Sequence, residues 1–247
     1  MSADVTDSKG YHHGDLKEAL LAAAWEVIDG GGLDELTLRG LSRMVGVSHA
    51  APYHHFKNRE ALVEVLRGLA FEQFTEAMEE RGARSRKAET RLFEMGRAYI
   101  DFARDYPARM ALMFSLRSRD ALQDPRDDPR EDPREDRGDE GERAICAIER
   151  RSFEVLVEAI VALQREGKAP KGDPSRLALL AFSAVHGFAK LWNEGPLSEM
   201  PSYGDAYERT RDQLLRTLIR GFVSERELAD REAPKRSQKG SQKARKR

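Results

Sequence analysis

Apolar residues recur at steps of three and four along almost the whole chain, which is the spacing of an amphipathic α-helix. The first such stripe lies at residues 15–29 and ends at three consecutive glycines, residues 30–32. Its members are Leu16, Leu20, Ala23, Ala24, Val27 and Ile28. Alternating apolar and polar positions, which would indicate strands, are scarce. The pattern predicts an all-α protein of about nine helices.

Three further segments begin at residues that favour helix N-termini. Thr37 precedes a short helix that Gly46 ends, because glycine adopts the left-handed conformation of a tight turn. Ser48 is expected to cap a third helix at residues 49–55, in which Pro52 should stiffen the first turn and make it slightly irregular. Asn58 should cap a fourth helix that continues to about residue 80.

Five more helices follow from the same spacing, and they complete the nine. Pro107 suits the first turn of the second of them, and Asp173 followed by proline forms a start signal for the fourth. Ser202 with Asp205 resembles a capping box at the start of the last. The five segments begin near residues 87, 107, 145, 173 and 202; the last three end near 165, 193 and 224.

The helices divide into two units separated by polar segments. Residues 11–57 form a small unit, helix 58–80 connects it to the rest, and residues 81–230 form a larger helical unit. Residues 1–10 and the loop 118–141 are predicted to be disordered, because the loop contains the proline-rich acidic repeat DPRDDPREDPRED. The tail 231–247 is also predicted to be disordered; the seven Lys/Arg after Ala233 serve either solubility or nonspecific phosphate contact.

Composition restricts the location and chemistry of the chain. A single cysteine, Cys146, excludes an intrachain disulfide and a cysteine-rich zinc site. The polar N-terminus lacks the apolar core of a signal peptide, and no apolar run approaches the ~18 residues of a membrane span. These features predict a cytoplasmic protein. The net charge of −1 indicates no particular partner.

The distribution of charge is more informative than its sum. Residues 1–80 contain seven Lys/Arg and fourteen Asp/Glu, yet no acidic residue falls between residues 37 and 59. That window contains Arg39, Arg43, Lys57 and Arg59, together with three histidines. Two short helices joined at a glycine turn are the arrangement of a helix-turn-helix, whose second helix enters the DNA major groove. A basic face on an acidic body can still bind DNA, because salt screens charges beyond ~8 Å.

TLRGLSRMVGVSHAAPYHHFKNREAL, residues 37–62, resembles the signature of the TetR family of transcriptional regulators. YHHGDLKEALLAAAWEVIDGGG, residues 11–32, is similar to that family's first helix. FSAVHGFAKLWNEG, residues 182–195, resembles the Trp-His-Gly-type segment of one TetR subgroup. The resemblance implies an N-terminal helix-turn-helix DNA-binding domain and a C-terminal ligand-binding and dimerisation domain. It further implies a ligand-responsive regulator, expected to be a repressor, that binds a near-palindromic double-stranded operator as a homodimer and is released by a small-molecule effector. Activation remains open.

The same resemblance assigns DNA contacts. Thr37, Tyr53 and Arg59 would bind phosphates, which fix register. Four residues would face base edges or nearby phosphates: Ser48, His49, Ala50 and His54. The two histidines would donate to guanine N7 or O6, and Ala50 would contact a thymine methyl group. Arg39 and Lys57 complete the predicted set. His55 and Phe56 are expected to pack the domain.

Aromatic residues and methionines of the C-terminal unit are expected to form mostly core, with some lining a pocket between helices. His186 is either a core histidine or a hydrogen-bonding partner of the effector. The candidate ligand-binding residues are Tyr99, Phe102, Met113, Phe114, Phe153, Phe182, His186 and Trp192. The last two helices, 173–193 and 202–224, have apolar faces and are expected to form a four-helix interface with those of a second chain.

Three alternatives compete with this interpretation. A metal site fits poorly, because the adjacent pairs His12–His13 and His54–His55 point apart on a helix and metal-binding pairs prefer i, i+4 spacing. The first pair is either an exposed arm or a phosphate contact. No nucleophile, phosphate-loop or dinucleotide motif is present, so we expect neither an enzyme nor a cofactor. The remaining alternative is a helical enzyme or protein-interaction module that acts through the C-terminal domain.

Overall fold

The computed structural model describes the backbone of residues 13–115, 138–195 and 206–232, and the side chains of 16–115, 147–195 and 206–222. Over these ranges the chain forms eight α-helices and two short 3₁₀ helices, without strands. The α-helices are α1 (His13–Gly31), α2 (Leu38–Val45), α3 (Arg59–Ala83), α4 (Ala88–Asp105), α5 (Pro107–Phe114), α6 (Gly138–Arg165), α7 (Pro174–Asn193) and α8 (Tyr207–Glu232). The 3₁₀ helices are Leu33–Glu35 and Ala51–His54. The predicted all-α class is confirmed, and Ala51–His54 occupies the place of the ninth helix.

The N-terminal unit has its own core, made by α1, α2 and the first turns of α3. Leu20, Leu41 and Leu62 are fully buried in it, and Phe56 closes it from the end of the second 3₁₀ helix. Leu112 of α5 belongs to the same cluster, so one helix of the larger unit also packs against the small one. Burial of this many aliphatic side chains supplies the main stabilisation of so small a unit.

The predicted start signals at Thr37, Asn58 and Asp173 are confirmed. Each side chain accepts a hydrogen bond from a backbone N–H in the first turn of its helix: Gly40, Ala61 and Ser175 are the donors. Gly46 follows α2 with φ of 77°, the left-handed conformation expected there.

The C-terminal unit is organised around α4, which packs against α3, α5, α6, α7 and α8. The close approach of α8 depends on Gly96, because a Cβ atom there would lie 2.4 Å from Leu215. Tyr99, Ile100 and Met113 belong to one buried cluster, and Leu92 and Met95, nearer the start of α4, belong to a second cluster with Val155, Ile160 and Leu163 of α6. The chain therefore builds a continuous helical body above the small N-terminal unit.

Asp101 of α4 connects three helices through charge. Its carboxylate accepts hydrogen bonds from Arg81 of α3 and from Arg211 of α8, and Arg211 is 2% exposed. Burial acts to raise the pKa of Asp101, but the hydrogen bonds and charges of the two guanidinium groups outweigh it and hold the pKa below its usual value. The cluster attaches α8 to the helical body.

Two predicted boundaries differ from the structure. Helix α6 begins at Gly138, so residues 138–141 of the predicted loop are helical and the predicted start near residue 145 was wrong. Helix α8 begins at Tyr207 and continues to Glu232, past the predicted end near 224, so residues 231–232 of the predicted disordered tail are helical. Both extensions are rich in Glu and Arg, which favour helix without forming an apolar stripe. The repeat at 124–136, residues 1–10, the Ser202–Asp205 capping box and the tail from 233 lie outside the described residues.

None of the described helices combines the length and apolar character that a membrane span requires.

Candidate nucleic-acid interface and internal cavity

Thr37 presents a polar group at the N-terminus of α2. Its Oγ1 accepts a hydrogen bond of 3.0 Å from the Gly40 N–H, and the side chain is exposed. Because Oγ1 acts as the acceptor in that bond, the hydroxyl can still donate its hydrogen to another acceptor, such as a phosphate oxygen. The positive end of the α2 dipole adds to the attraction for an anion at this position.

The segment after the Gly46 turn departs from the predicted geometry. Residues 49–50 form a turn, and Ala51–His54 is a 3₁₀ helix whose N-cap is Ala50, without a side-chain cap. The predicted α-helix capped by Ser48 was wrong, although its expected irregularity at Pro52 is present. Pro52 has no N–H and disfavours the helical conformation at Ala51. The backbone instead closes i to i+3 bonds, from the Ala51 N–H to Ser48 and from the Tyr53 N–H to Ala50.

The residues that were predicted to contact DNA lie largely on the surface. Tyr53 is 52% exposed, an unusual position for a large aromatic side chain. The exposed members of the predicted set are Thr37, Arg39, Ser48, His49, Ala50, Tyr53, His54 and Lys57. We call these eight residues the recognition surface. Phe56 is 2% exposed and packs the domain, as expected, and His55 beside it is half-buried.

A hydrogen bond between α2 and the recognition surface determines which ring nitrogen of His49 is free. Ser42 is fully buried, and its Oγ donates to the Arg39 carbonyl while lying 3.0 Å from His49 Nδ1. A hydroxyl has one hydrogen, so His49 Nδ1 must donate to Ser42 if both contacts are hydrogen bonds. Neutral His49 then presents Nε2 outward as an acceptor. Sequence reasoning missed this contact, because residues 42 and 49 come together only when the Gly46 turn forms.

Arg59 has an internal role that sequence reasoning missed. Its Nε donates to the Leu36 carbonyl at 2.9 Å, and its Nη2 donates to the Leu33 carbonyl at 2.7 Å. These bonds join the start of α3 to the turn that precedes Thr37. The phosphate contact predicted for Arg59 has only the remaining guanidinium N–H groups to use, and the side chain is half-buried.

A cavity of about 310 Å³ lies among α3, α4, α5, α6 and α7. Its wall contains five of the eight predicted ligand-binding residues: Tyr99, Met113, Phe114, Phe153 and Phe182. His186 lines a neighbouring cavity of about 220 Å³ with Phe114. Phe102 and Trp192 line neither: Phe102 packs edge-on to Phe74 in the core, and Trp192 packs edge-on to Tyr207.

His186 is half-buried beside the two cavities. It stacks on Phe182, and its Nδ1 shares a 2.7 Å hydrogen bond with the Tyr99 hydroxyl, so one ring nitrogen is satisfied within the protein. Burial and the Lys190 charge lower its pKa, against a smaller opposing effect of Glu194. Burial raises the pKa of Tyr99, which therefore remains a donor.

Sequence reasoning missed the polar members of the larger cavity. Arg67 of α3 is 9% exposed, and its Nη2 lies 2.6 Å from Glu149 Oε1 of α6. Ser152 is also buried and shares a 2.6 Å hydrogen bond with Thr75. A signal was present, because Arg67 falls on the apolar stripe of α3 at the i+4 position from Val63. A charged residue on such a stripe marks a cavity or a buried ion pair.

No metal site is found in the part of the chain that the structure describes, where no group of three or more His, Cys, Asp or Glu is placed to hold an ion.

Comparison with known protein families finds a match in each of the two units. Residues 20–66 match the model for bacterial regulatory proteins of the tetR family. Residues 92–218, more than half of the chain, match the tetracyclin repressor-like C-terminal domain. The chain belongs to the tetR family of bacterial regulatory proteins. The resemblance that residues 37–62 carry is thereby confirmed.

Three individual proteins show how similar this tetR-family chain is to known sequences and structures. Tetracycline repressor protein class C of Escherichia coli is 40% identical over 50 residues, which span 20% of this chain and 23% of that repressor. A protein of unknown function from Rhodococcus sp. RHA1 is 30% identical with a TM-score of 0.67, over 87% of this chain and all of that one. AibR, solved with isovaleryl coenzyme A and operator DNA, is 16% identical with a TM-score of 0.55, over 84% of this chain and 98% of AibR.

Proposed function

We propose that this tetR-family protein is a dimeric transcriptional repressor that binds a near-palindromic operator and is released by a small-molecule effector. The observation that carries the DNA-binding part is the recognition surface. It is exposed, it contains no acidic residue, and its members lie on both sides of a helix-turn-helix turn at Gly46. An exposed tyrosine and two exposed basic residues at its edges suit phosphate contact, and residues 48–54 suit the major groove.

His49 is proposed to read an amino group. Because Ser42 occupies Nδ1, neutral His49 offers Nε2 as an acceptor, which matches the N4 amino group of cytosine or the N6 amino group of adenine. The donation to guanine that the sequence suggested would require the protonated ring, in which both nitrogens are donors.

The effector part rests on the cavity beneath the DNA-binding unit. Its volume of about 310 Å³ is within the range of small-molecule sites, and its lining is largely aromatic. Met113 and Phe114 of α5 line the cavity, whereas Leu112 of the same helix packs into the core of the DNA-binding unit. A ligand that moves α5 would therefore change the position of the DNA-binding unit. AibR, which shares this fold, has been solved with both isovaleryl coenzyme A and operator DNA, so the fold can hold a small molecule and DNA.

Dimerisation is proposed through α7 and α8. Leu179, Leu180 and Leu191 of α7 are each more than half exposed, an arrangement that costs free energy unless a partner covers it. Two recognition surfaces in one dimer would face successive major grooves about one DNA turn (~34 Å) apart. We propose that the protein acts by binding rather than by catalysis.

Selection of genomic DNA fragments by the purified protein, followed by salt-dependent titration of the best fragment, tests this function. We expect selected DNA to bind at least ~10³-fold more tightly than random DNA, with affinity falling steeply as salt rises. Equal affinity for both DNAs would refute operator recognition. A helical enzyme or protein-interaction module would give that result.

A further inference from the structure

The cavity among α3–α7 has a polar end and an apolar end. Along α3, Arg67 comes first, Phe71 one turn later and Met78 last, so Arg67 and Met78 are separated by about 16 Å of helix. Helix α6 runs in the same direction as α3, because Glu149 contacts Arg67 and, further along both helices, Ser152 contacts Thr75. The polar end therefore lies nearest the DNA-binding unit.

Arg67 has unused donor capacity at this end. Its side chain is 11% exposed and its Nε is buried without a hydrogen-bond partner, although its Nη2 pairs with Glu149. The guanidinium carries five N–H donors, and a ligand carboxylate that displaces Glu149 would accept from those that Glu149 now faces. Ser152 is already bonded to Thr75, so Arg67 is the wall's main donor to an incoming group.

The rest of the wall selects an apolar body. Phe71 and Phe114 meet edge to face, and Phe182 lies against Phe114. A smaller void of about 30 Å³ continues past the apolar end and shares Met78, Tyr99 and Leu156 with the larger cavity. The larger volume of about 310 Å³ is roughly twice the ~150 Å³ apolar cavity that holds one benzene ring.

We propose that the cavity takes an amphipathic monocarboxylate, with its carboxylate on Arg67 and its aromatic or aliphatic body along the phenylalanines. The proposal rests on the effector function above and names the ligand class of that site. A cationic ligand would add a second positive charge beside Arg67 and would leave Nε unsatisfied. A carboxylate instead competes with Glu149, which at 29% side-chain exposure has access to water when displaced.

This geometry also links the ligand to the DNA-binding unit. Leu66, next to Arg67 in the chain, is fully buried in the core of that unit. A carboxylate that separates Arg67 from Glu149 would loosen the attachment of α3 to α6 at the position where α3 enters that core. The ligand would therefore act on α3 as well as on α5.

Calorimetric titration of the full-length dimer with three matched probes tests the ligand class: 3-phenylpropionate, 3-phenylpropanol and 3-phenylpropylamine. We expect the acid to bind about 10- to 100-fold more tightly than the alcohol, as a charge-assisted hydrogen bond predicts, and the amine to bind no better than the alcohol. Octanoate should bind in the same way as the aromatic acid. Tighter binding of the amine, or no binding of either acid at millimolar concentration, would overturn the proposal.

Two variants test whether Arg67 binds the ligand carboxylate. Arg67→Met should abolish the preference for acid over alcohol, whereas Glu149→Gln should keep or strengthen acid binding because it removes the competing carboxylate. If Arg67→Met does not fold, Arg67→Lys can be used instead. Lysine keeps the positive charge but lacks the two parallel N–H donors of a guanidinium, so acid binding should weaken. Loss of acid binding in Glu149→Gln, or full acid preference in a folded Arg67 variant, would contradict the assignment.

Operator binding is measured separately from ligand binding, so the two proposals can fail independently. A chain that binds its operator but not the carboxylates refutes only the ligand class. A chain that binds carboxylates but no operator refutes the proposed function.

Discussion

At the scale of single residues, hydrogen-bond partners decide what each exposed group can recognise. Eight of the nine residues that the sequence proposed for DNA contact are exposed, and the exception is the half-buried Arg59. The sequence could not indicate that Ser42 holds His49 or that Arg59 bonds two backbone carbonyls, since both contacts depend on how α2, the glycine turn and α3 pack. These contacts change the expected chemistry of both residues.

Ser42→Ala should relax base preference at the position that His49 reads. The change removes the Ser42 contact with His49 Nδ1 and leaves a small apolar side chain in a fully buried place. Sequence selection by the variant should show lower preference at one base pair per half-site, with an unchanged salt slope. The effect should vanish in a His49→Ala background, because the two residues act together. An unchanged selected sequence would mean that His49 does not read a base through this contact.

Tyr53→Phe should weaken binding to operator and random DNA by a similar factor, about 0.5–1.5 kcal/mol per half-site, the value of one hydrogen bond. The hydroxyl belongs to a side chain that is 52% exposed and is expected to bind a phosphate. Titrations of both DNAs give the comparison. Tyr106→Phe is the matched control, since Tyr106 is 40% exposed at the start of α5, and it should change nothing. A loss confined to the operator would indicate base reading instead.

At the scale of elements, apolar spacing predicted the helices well, and local chemistry explains the exceptions. Pro52 converts the expected α-helix into the 3₁₀ helix Ala51–His54, an outcome that periodicity does not contain. Helices α6 and α8 extend through charged segments with helix propensity but no stripe. The sequence proposed the aromatic residues and Met113 of the cavity wall but not its polar residues. The polar end of the cavity at Arg67 and Glu149 depends on the pairing of α3 with α6.

Asp101→Asn should lower the free energy of unfolding at pH 7 by about 2 kcal/mol. Breaking a fully buried ion pair costs about 3–5 kcal/mol. The smaller value applies here because the Asp101 side chain is 17% exposed. The folded pKa is lowered, so the carboxylate stabilises the fold above its unfolded pKa of about 3.9. That contribution is lost as the pH falls through the folded pKa.

Urea unfolding between pH 7 and 3 checks this prediction, and the difference between wild type and Asp101→Asn should shrink below about pH 4. Asp105→Asn is the control, because its carboxylate is half exposed and pairs with the adjacent Arg104, so its loss should cost less than about 1 kcal/mol. Equal effects of the two variants would show that the link from α4 to α3 and α8 contributes no special stability.

At the scale of the whole molecule, the account requires two chains. Leu180→Glu would place a charge on the face of α7 where three leucines are exposed, and it should shift the light-scattering mass at micromolar concentration toward one chain. Arg150→Glu, on the exposed face of α6, should leave the mass unchanged. A wild-type mass of one chain, or a Leu180→Glu mass of two, would contradict dimerisation through α7.

Operator recognition requires a dimer that places two copies of the recognition surface in successive major grooves. Hydroxyl-radical footprinting of the selected genomic fragment measures this arrangement. We expect two protected patches related by twofold symmetry, with centres one helical turn (~10 base pairs) or a whole multiple apart. A single patch, or uniform protection without symmetry, would contradict this arrangement.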